Sequence, residues 1–204
     1  MGFSPDAYVQ MAIQLATYRL FGKQVGTYES TQVRKFLHGR TEATRSVSPE
    51  SHAFVQTMGL QPGSDEHDQE TRAKKFKLFR QATQSHVNYI QKAAQGQGVD
   101  RHLFGLSMLV QPGEESPSLY SHPLYARSKR WRVSTSTLPN MPGFGEVVAD
   151  GVGIAYEIKP RCCMFTVANR SENGWSDQLC HLLEEALSEI RLLVDLETPI
   201  RSKL

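Results

Sequence analysis

The stretch WRVSTSTLPNMPGFGEVVADGVGIAYEIKPRCCMFTV, residues 131–167, decides the fold class because three strand-like segments follow one another in it. Trp131–Ser136, Glu146–Ile158 and Cys162–Val167 are short and rich in β-branched and aromatic residues, a composition typical of strands. Asp150-Gly151 predicts a turn within the second segment. This stretch therefore predicts a sheet.

Helical patterns lie on both sides of that stretch. Ser4-Pro5-Asp6 predicts a helix start, with a hydroxyl cap, a proline at the first helical position and an acid at the positive end of the helix dipole. The helix should end near Gly22. Its apolar residues recur at steps of three and four, as one stripe of Tyr8, Met11, Ala12, Leu15, Ala16 and Leu20.

Two further long helices are predicted. One runs from about Asp68 to Ala94, with Phe76, Phe79, Ala82, Tyr89, Ile90 and Ala93 facing inward. The other is the final helix, whose apolar face is Leu179, Leu182, Leu183, Ala186, Leu187, Ile190, Leu193 and Val194. A short helix after Asp100 and a loop at Gln111–Leu119 complete the pattern. Mixed helix and strand predict an α/β fold with helices on a sheet.

Residues Gly26 to Ser48 carry alternating hydroxyls and arginines around Gly39 without a helical period. This pattern predicts a short strand or turn that runs through a polar site. We expect binding groups in this segment.

Composition excludes several classes of protein. Hydrophobic residues make up 39% and charged residues 22%, which is ordinary for a globular protein, and a formal charge of +2 is too small to indicate nucleic acid or a membrane as partner. No apolar run approaches the length of a membrane span, and no signal peptide precedes the first helix. Cys162, Cys163 and Cys180 lack metal-ligand spacing and are predicted to be reduced and buried.

The first half of the second long helix is basic, with Arg72, Lys74, Lys75, Lys77 and Arg80. A solvated helix face explains this charge, and attraction of a phosphate-bearing ligand is the alternative. Nucleic acid is disfavoured because no aromatic stacking pattern accompanies the charge.

No complete catalytic motif is present. The histidines show no H-E-x-x-H or paired-ligand spacing, and neither a G-x-S-x-G elbow nor a P-loop occurs. Polar clusters stand out instead within segments that otherwise look foldable. They are Thr27-Tyr28-Glu29-Ser30, Gly39-Arg40-Thr41-Glu42, Asp100-Arg101-His102 and Ser134-Thr135-Ser136.

These clusters, with Ser4-Pro5-Asp6, Phe144-Gly145 and Asp150-Gly151-Val152-Gly153, resemble in order the C-terminal motifs of the choline/carnitine acyltransferase family. The resemblance covers nearly all of residues 1–204. It implies a coenzyme A-dependent acyltransferase fold, a mixed sheet flanked by helices, of which this chain is the C-terminal domain only. It also implies transfer of an acyl group between coenzyme A and carnitine, with an N-terminal acyltransferase domain as partner and no permanently bound cofactor or metal.

The resemblance assigns roles residue by residue. Tyr28, Ser30 and Thr41, with Ser134, would be hydroxyl donors around carnitine, and Arg101 would pair with its carboxylate, for which a planar guanidinium is well suited. Phe144 and Val147 would line the pocket of the trimethylammonium group. Ser136 would stabilise the oxyanion that forms when carnitine's hydroxyl attacks the thioester. Taken alone, Arg101 also reads as a helix-start salt bridge, Tyr28 as a core aromatic and Ser136 as a strand hydroxyl. Core packing is the alternative for Phe144 and Val147.

The chain departs from the family pattern at two places. Thr137 stands beside the coenzyme A path where many members have glutamine, which puts coenzyme contacts there in doubt. The position that limits acyl length falls on Met141, Pro142 or Gly143, depending on the gap, and we expect an acetyl or other short acyl group.

The family's general-base histidine belongs to an upstream motif that residues 1–204 do not contain, so we expect this chain alone to be inactive. The first hypothesis is the C-terminal part of a carnitine O-acyltransferase. The second is a non-catalytic carnitine-binding relic, and the third a binding module for an anionic partner. The terminal Ser202-Lys203-Leu204 is the tripeptide that the peroxisomal import receptor reads, which predicts a peroxisomal location.

Overall fold

The computed structural model describes residues 2–63, 68–140 and 143–198, which form an α/β unit. Its strands are β1 (Thr27–Gln32), β2 (Thr41–Arg45), β3 (Val133–Thr137), β4 (Val152–Ile158) and β5 (Cys163–Ala168). Its helices are α1 (Pro5–Phe21), α2 (Pro49–Met58), α3 (Gln69–Ala94), α4 (Asp100–Met108), α5 (Ser118–Ser121), α6 (Pro123–Ser128) and α7 (Ser176–Glu197).

The five strands form one mixed sheet in the order β2-β1-β3-β4-β5. The central pairs β1–β3 and β3–β4 are parallel, and the outer pairs β1–β2 and β4–β5 are antiparallel. Parallel neighbours need a crossover connection, and β1 and β3 are joined through β2 and the helices α2 to α6. The predicted mixed sheet with flanking helices is confirmed.

Helix α1 lies at the centre of the core. It begins as predicted, with the amide of Ala7 donating to the side chain of Ser4, and it ends at Phe21. The prediction of a single apolar stripe is wrong, because α1 is buried on nearly every side, including Gln10 and Gln14. A helix enclosed by other elements must bury such polar groups, and both amide side chains hydrogen-bond to neighbouring side chains.

Helix α3 confirms its predicted bounds, and α7 confirms the predicted final helix. The apolar face of α7 packs into the core through Leu179, Leu183, Ala186, Ile190, Leu193 and Val194. On α3 the exposed basic face is Lys74, Lys77 and Arg80, whereas Lys75 is buried and Arg72 forms an ion pair with Glu197 on α7 at 2.7 Å. The basic face is therefore smaller than the sequence indicates.

Other expectations were wrong in detail. Helix α2 was not predicted, although Ser48 and Ser51 form a reciprocal capping box at its start. Residues 146–151 are not a strand, and β4 begins only at Val152. Helix α5 begins at Ser118, inside the predicted loop.

The three cysteines contradict the prediction that they are buried. Cys162 and Cys163 lie at the exposed β4–β5 turn, and Cys180 lies on the outer face of α7. Their small hydrophobic side chains therefore pack no part of the core.

The segment from α4 to α6 buries little of its apolar surface. The exposed large hydrophobic residues there are Val99, Phe104, Leu106, Met108, Leu109, Leu119 and Leu124. We expect such a surface to promote self-association. No helix within the described ranges has the length and the apolar character needed to cross a bilayer.

Candidate functional site

Strand alternation divides the sheet into two chemically different faces. Residues opposite each other in register point to the same side, so Tyr28, Ser30, Thr41, Ser134 and Ser136 share one face. We call this the hydroxyl face. The other, the helix face, carries Val133, Val152, Ile154 and Tyr156, which pack into the core with α1, α2, α3 and α7.

The hydroxyl face places its groups at different depths. Tyr28, Ser30 and Ser136 are half-buried and Thr41 is exposed at the sheet edge, whereas Ser134 is only 2% exposed. Tyr28 lies opposite both Ser134 on β3 and Arg45 on β2. The sheet thus brings four of the predicted hydroxyls within reach of a small ligand and covers the fifth.

Arg101 stands at the edge of this face. Its Nε donates to the carbonyl oxygen of Thr41 at 3.3 Å, and its Nη1 lies 3.2 Å from the Oδ2 atom of Asp100. Half of the side chain, 53%, is exposed. The structure therefore joins two residues that the sequence places 60 positions apart, Arg101 and Thr41.

Glu42 docks the start of α4 onto β2. Its Oε1 accepts hydrogen bonds from the backbone amides of Arg101, at 3.2 Å, and Ala43, at 2.7 Å. A carboxylate at a helix N-terminus is favourable because the first amides have no partner within the helix. A Cβ at position 98 would overlap the Glu42 side chain, so Gly98 is required for this approach.

Sequence reasoning missed an aromatic and guanidinium stack beside Tyr28. The rings of Tyr28 and Trp131 lie 5.6 Å apart, and the guanidinium of Arg45 lies 4.8 Å from the Trp131 ring centroid. Arg45 also donates to the carbonyl of Ser128 at 2.7 Å and to Asp100 at 3.3 Å. The arginines of the Gly26 to Ser48 segment were noted as a group, and the signal that could have singled out Arg45 is its even spacing from Thr41 on one strand.

Phe144 and Val147 lie in the loop before β4. The Phe144 ring is half-buried and Val147 is 52% exposed. The loop crosses the hydroxyl face at Gly153, where a Cβ would overlap the carbonyl oxygen of Phe144. This crossing brings the backbone of Phe144 next to Gly153 on β4, and Gly153 is the residue opposite Ser134 in register.

Of the remaining predicted positions, Thr137 and Gly143 lie within the described residues. Thr137 is exposed at the end of β3 and points to the helix face, because it is opposite Tyr156 in register. Met141 and Pro142 lie outside the described residues, as does Ser202-Lys203-Leu204. Gly143, the third position considered for acyl length, lies against the side chain of Thr166 on β5.

The helix face holds a buried network of ionisable groups. His86 Nε2 lies 3.0 Å from Glu29 Oε2 and 3.7 Å from Asp6 Oδ2. The hydroxyl of Tyr156 donates to Asp6 at 2.6 Å and lies 3.1 Å from Glu29, and Gln10 donates to Tyr156 and Thr135. The His86 and Glu29 side chains are 1% and 6% exposed.

Burial and pairing set the charges of this network. Burial alone would lower the pKa of His86, but hydrogen bonds and charges from Asp6 and Glu29 outweigh it and raise that pKa to about 9. Burial raises the pKa of Glu29. Burial opposes ionisation of Asp6 too, yet hydrogen bonds from His86 and Tyr156 hold its pKa below the usual value. A charged imidazolium therefore balances the carboxyl groups at neutral pH.

The same three side chains are the residues best placed to hold a metal ion among those described. Candidate ligand atoms of Asp6, Glu29 and His86 lie within 4.8 Å of one another. His86 Nε2 and Glu29 Oε2 are already paired directly with each other at 3.0 Å. The arrangement is explained as a buried ion pair.

The sequence contained a signal for His86. It lies four residues after Ala82 and seven after Phe79, on the buried stripe of α3. A titratable residue on an apolar stripe needs a buried partner, and Glu29 from β1 supplies it.

Comparison with known proteins gives a consistent result. Residues 1–185 match the family model described as choline/carnitine O-acyltransferase. A carnitine O-acetyltransferase of Columba livia is 39% identical over 98% of this chain and 32% of its own length. The mitochondrial carnitine O-acetyltransferase of Saccharomyces cerevisiae is 34% identical over 100% of this chain and 30% of its own length.

Choline O-acetyltransferases are also similar. The one from Gallus gallus is 34% identical over 92% of this chain and 30% of its own length. The chain thus spans about a third of the length of the curated relatives that it matches.

Proposed function

Because this chain belongs to the choline/carnitine O-acyltransferase family, we propose that it supplies the alcohol-binding and oxyanion-stabilising half of a carnitine O-acyltransferase site. In this proposal residues 1–204 are the C-terminal portion of the acyltransferase domain, and an N-terminal domain completes the site. The observation that carries the proposal is the exposed guanidinium of Arg101, held over the carbonyl of Thr41 at the edge of the hydroxyl face.

Arg101 favours carnitine over choline as the alcohol. Carnitine carries a carboxylate and choline does not, and a guanidinium binds a carboxylate through two parallel hydrogen bonds. Tyr28, Ser30 and Thr41 add hydroxyl donors from the same face without adding negative charge, and Ser134 lies beneath them. An exposed cation at the edge of a face of neutral hydroxyls is an arrangement suited to a zwitterion.

The cationic end of carnitine would lie toward Phe144 and Val147. A quaternary ammonium group is attracted to an aromatic face, and an aliphatic neighbour excludes water from it. Phe144 lies on the loop that crosses the hydroxyl face. Its half-buried ring leaves part of the aromatic surface for contact.

Ser136 is proposed to act on the reaction itself. When the carnitine hydroxyl attacks the thioester carbonyl of acyl-coenzyme A, negative charge develops on the carbonyl oxygen, and a fixed hydroxyl can donate to it. Ser136 is half-buried at the end of β3 on the hydroxyl face, two residues beyond Ser134. The proton leaves to a general-base histidine that lies outside these residues, and coenzyme A leaves as the thiol.

Two finer features belong to the same proposal. Acyl-coenzyme A, as co-substrate, would pass Thr137, whose short side chain makes fewer contacts than glutamine would. The transferred group is acetyl or another short chain, limited at Met141, Pro142 or Gly143.

Titration of the chain with L-carnitine, followed by NMR, tests the alcohol-binding part. We expect saturable binding that weakens at least tenfold in Arg101→Gln, because a charged hydrogen bond is lost. Choline is the matched ligand without a carboxylate, and its affinity should not change in this variant. Absence of carnitine binding, or equal weakening for both ligands, would reject the proposal.

In a complete enzyme, Arg101→Ala should raise the KM for carnitine far more than the KM for acyl-coenzyme A. Equal increases for both substrates would argue against the carboxylate role.

We also propose a peroxisomal location through Ser202-Lys203-Leu204 and its import receptor. Appending one residue after Leu204 should leave the protein in the cytosol. Continued import of that variant would show that the tripeptide is not the targeting signal.

A further inference from the structure

Two arginines and one aspartate form a linked group at the edge of the hydroxyl face. The Oδ1 atom of Asp100 lies 3.3 Å from Nη2 of Arg45, and its Oδ2 atom lies 3.2 Å from Nη1 of Arg101. The Asp100 side chain is 7% exposed, that of Arg45 is 23% exposed and that of Arg101 is 53% exposed. One buried carboxylate therefore bridges an inner and an outer guanidinium.

Resting on the function proposed above, we propose that Arg45 is a specificity-determining residue that selects a carboxylate-bearing alcohol without touching it. Arg45, the inner guanidinium, neutralises the Asp100 carboxylate. The outer guanidinium of Arg101 then keeps its positive charge available for a second carboxylate, that of the ligand.

The charges of the groups around Arg101 explain why a second cation is needed. Asp100 and Glu42 are both buried carboxylates next to Arg101. Glu42 is directed to the backbone amides of Ala43 and Arg101, whereas Asp100 faces the two guanidinium groups. Without Arg45, the two acids would outnumber the single remaining cation, and the excess negative charge would repel an incoming carboxylate.

The surroundings hold Arg45 in this position. Its guanidinium lies over the Trp131 ring and donates to the carbonyl of Ser128. Its Cα is fixed on β2 opposite Tyr28. An arginine with contacts on several sides has one orientation, so the charge stays behind Asp100 rather than moving into the ligand site.

A second substitution distinguishes this proposal from a purely structural role of Arg45. In Arg45→Gln the carboxylate of Asp100 keeps only one cationic partner, so affinity for L-carnitine should fall about tenfold. Affinity for choline should stay within about twofold, since choline has no carboxylate to repel. In the double variant Arg45→Gln with Asp100→Asn the excess negative charge is gone, and most of the lost carnitine affinity should return.

NMR titrations of the parent chain and of each variant with L-carnitine and with choline measure the dissociation constants, with circular dichroism as the check on folding. Arg45→Lys is the matched control, because it keeps the positive charge and should lose less carnitine affinity than Arg45→Gln. Equal losses for carnitine and choline in Arg45→Gln, or a double variant that binds carnitine no better than Arg45→Gln, would overturn the proposal.

Asp100→Asn alone keeps the experiment decisive if Arg45→Gln does not fold. It should bind carnitine as tightly as the parent chain or more tightly, and weaker binding would contradict the charge argument. If the parent chain itself binds no carnitine, the function proposed above fails. If the parent chain binds carnitine and Arg45→Gln binds it equally well, only the role of Arg45 is rejected.

Discussion

The two faces of strand β1 differ in chemistry although their residues alternate along one segment of six. Tyr28 and Ser30 on the hydroxyl face are half-buried and uncharged, whereas Glu29 and Thr31 on the helix face are buried and hydrogen-bonded to other side chains. Adjacent residues on one strand therefore face the proposed ligand site and the core. We expect a change of one position to move the effect of a substitution from binding to stability.

The difference follows from what water can reach. Half-exposed hydroxyls lose little hydration and remain free to exchange water for a ligand. Glu29 and His86 on the helix face are almost fully buried, so their charges are retained only within a paired set, Glu29 with His86 and Asp6 with Tyr156. Mutations on the two faces should accordingly have separable effects.

The largest expected effect comes from the helix face. In His86→Leu the carboxyl groups of Glu29 and Asp6 lose their buried cation, and removal of one partner of a buried ion pair costs about 3–5 kcal/mol in the free energy of unfolding. Urea denaturation measures this change. Tyr28→Phe on the opposite face is the control, and it should cost less than about 1 kcal/mol. Similar costs for both variants would show that the faces are not distinct.

The stability of the chain should also depend on pH through His86. Its pKa is about 9 in the folded chain and near 6.5 when unfolded, so the folded state binds the proton more tightly. The stabilisation is fully present below pH 6.5 and is lost as pH rises through 9, a decrease of about 3 kcal/mol. Denaturation of the parent chain and of His86→Gln across this range checks it, and equal pH profiles would contradict the ion pair with Asp6 and Glu29.

On the hydroxyl face, Arg101→Ala should change binding and leave stability nearly unchanged. Loss of a hydrogen-bonded charge pair with the carnitine carboxylate corresponds to about 1.5–3 kcal/mol, or roughly 10- to 100-fold in the dissociation constant. The Arg101 side chain is half-exposed and Asp100 keeps Arg45 as a second partner, so we expect a loss of less than about 1 kcal/mol in the free energy of unfolding. A large loss of stability with unchanged carnitine binding would assign Arg101 to the fold instead.

The smallest expected effects come from substitutions at two neighbouring residues of β1, one on each face. Ser30→Ala should weaken carnitine binding by about 0.5–1.5 kcal/mol without destabilising the chain. Thr31→Ala removes a buried hydrogen bond to Thr44 and should lower the free energy of unfolding by about 1 kcal/mol while carnitine binding is unchanged. Calorimetric titration and urea denaturation of both variants should give opposite patterns, and matching patterns would refute the division between faces.

Much of the fold could be predicted from the sequence, because local patterns specify it. The start of α1 at Pro5, the bounds of α3 and the apolar face of α7 all follow from capping and periodicity. The complete burial of α1 could not be predicted, since its neighbours are set by tertiary packing. The missed α2 shows the same limit, because its ten residues carry too few apolar positions to reveal a period.

The polar clusters indicated from the residues alone where binding groups should lie, and the family motifs supplied the role of each residue. Tyr28, Ser30, Thr41 and Arg101 were named from the resemblance, and strand register explains why the first three share a face. Arg45 and His86 were missed because their roles depend on long-range contacts. Arg45 contacts Trp131 and Asp100. His86 contacts Glu29 in the buried network. Pairings across more than 50 residues leave no mark in local sequence.

Side-chain NMR of two aromatic rings during one L-carnitine titration is the decisive test that the ligand binds on the hydroxyl face and not on the helix face. The Tyr28 ring lies on the hydroxyl face and the His86 ring is buried behind the same strand, next to Glu29. We predict that the Tyr28 ring signals shift in a saturable manner while the His86 ring signals stay at the imidazolium position without change. Shifts of the His86 ring with an unperturbed Tyr28 ring would contradict the assignment of the ligand to the hydroxyl face.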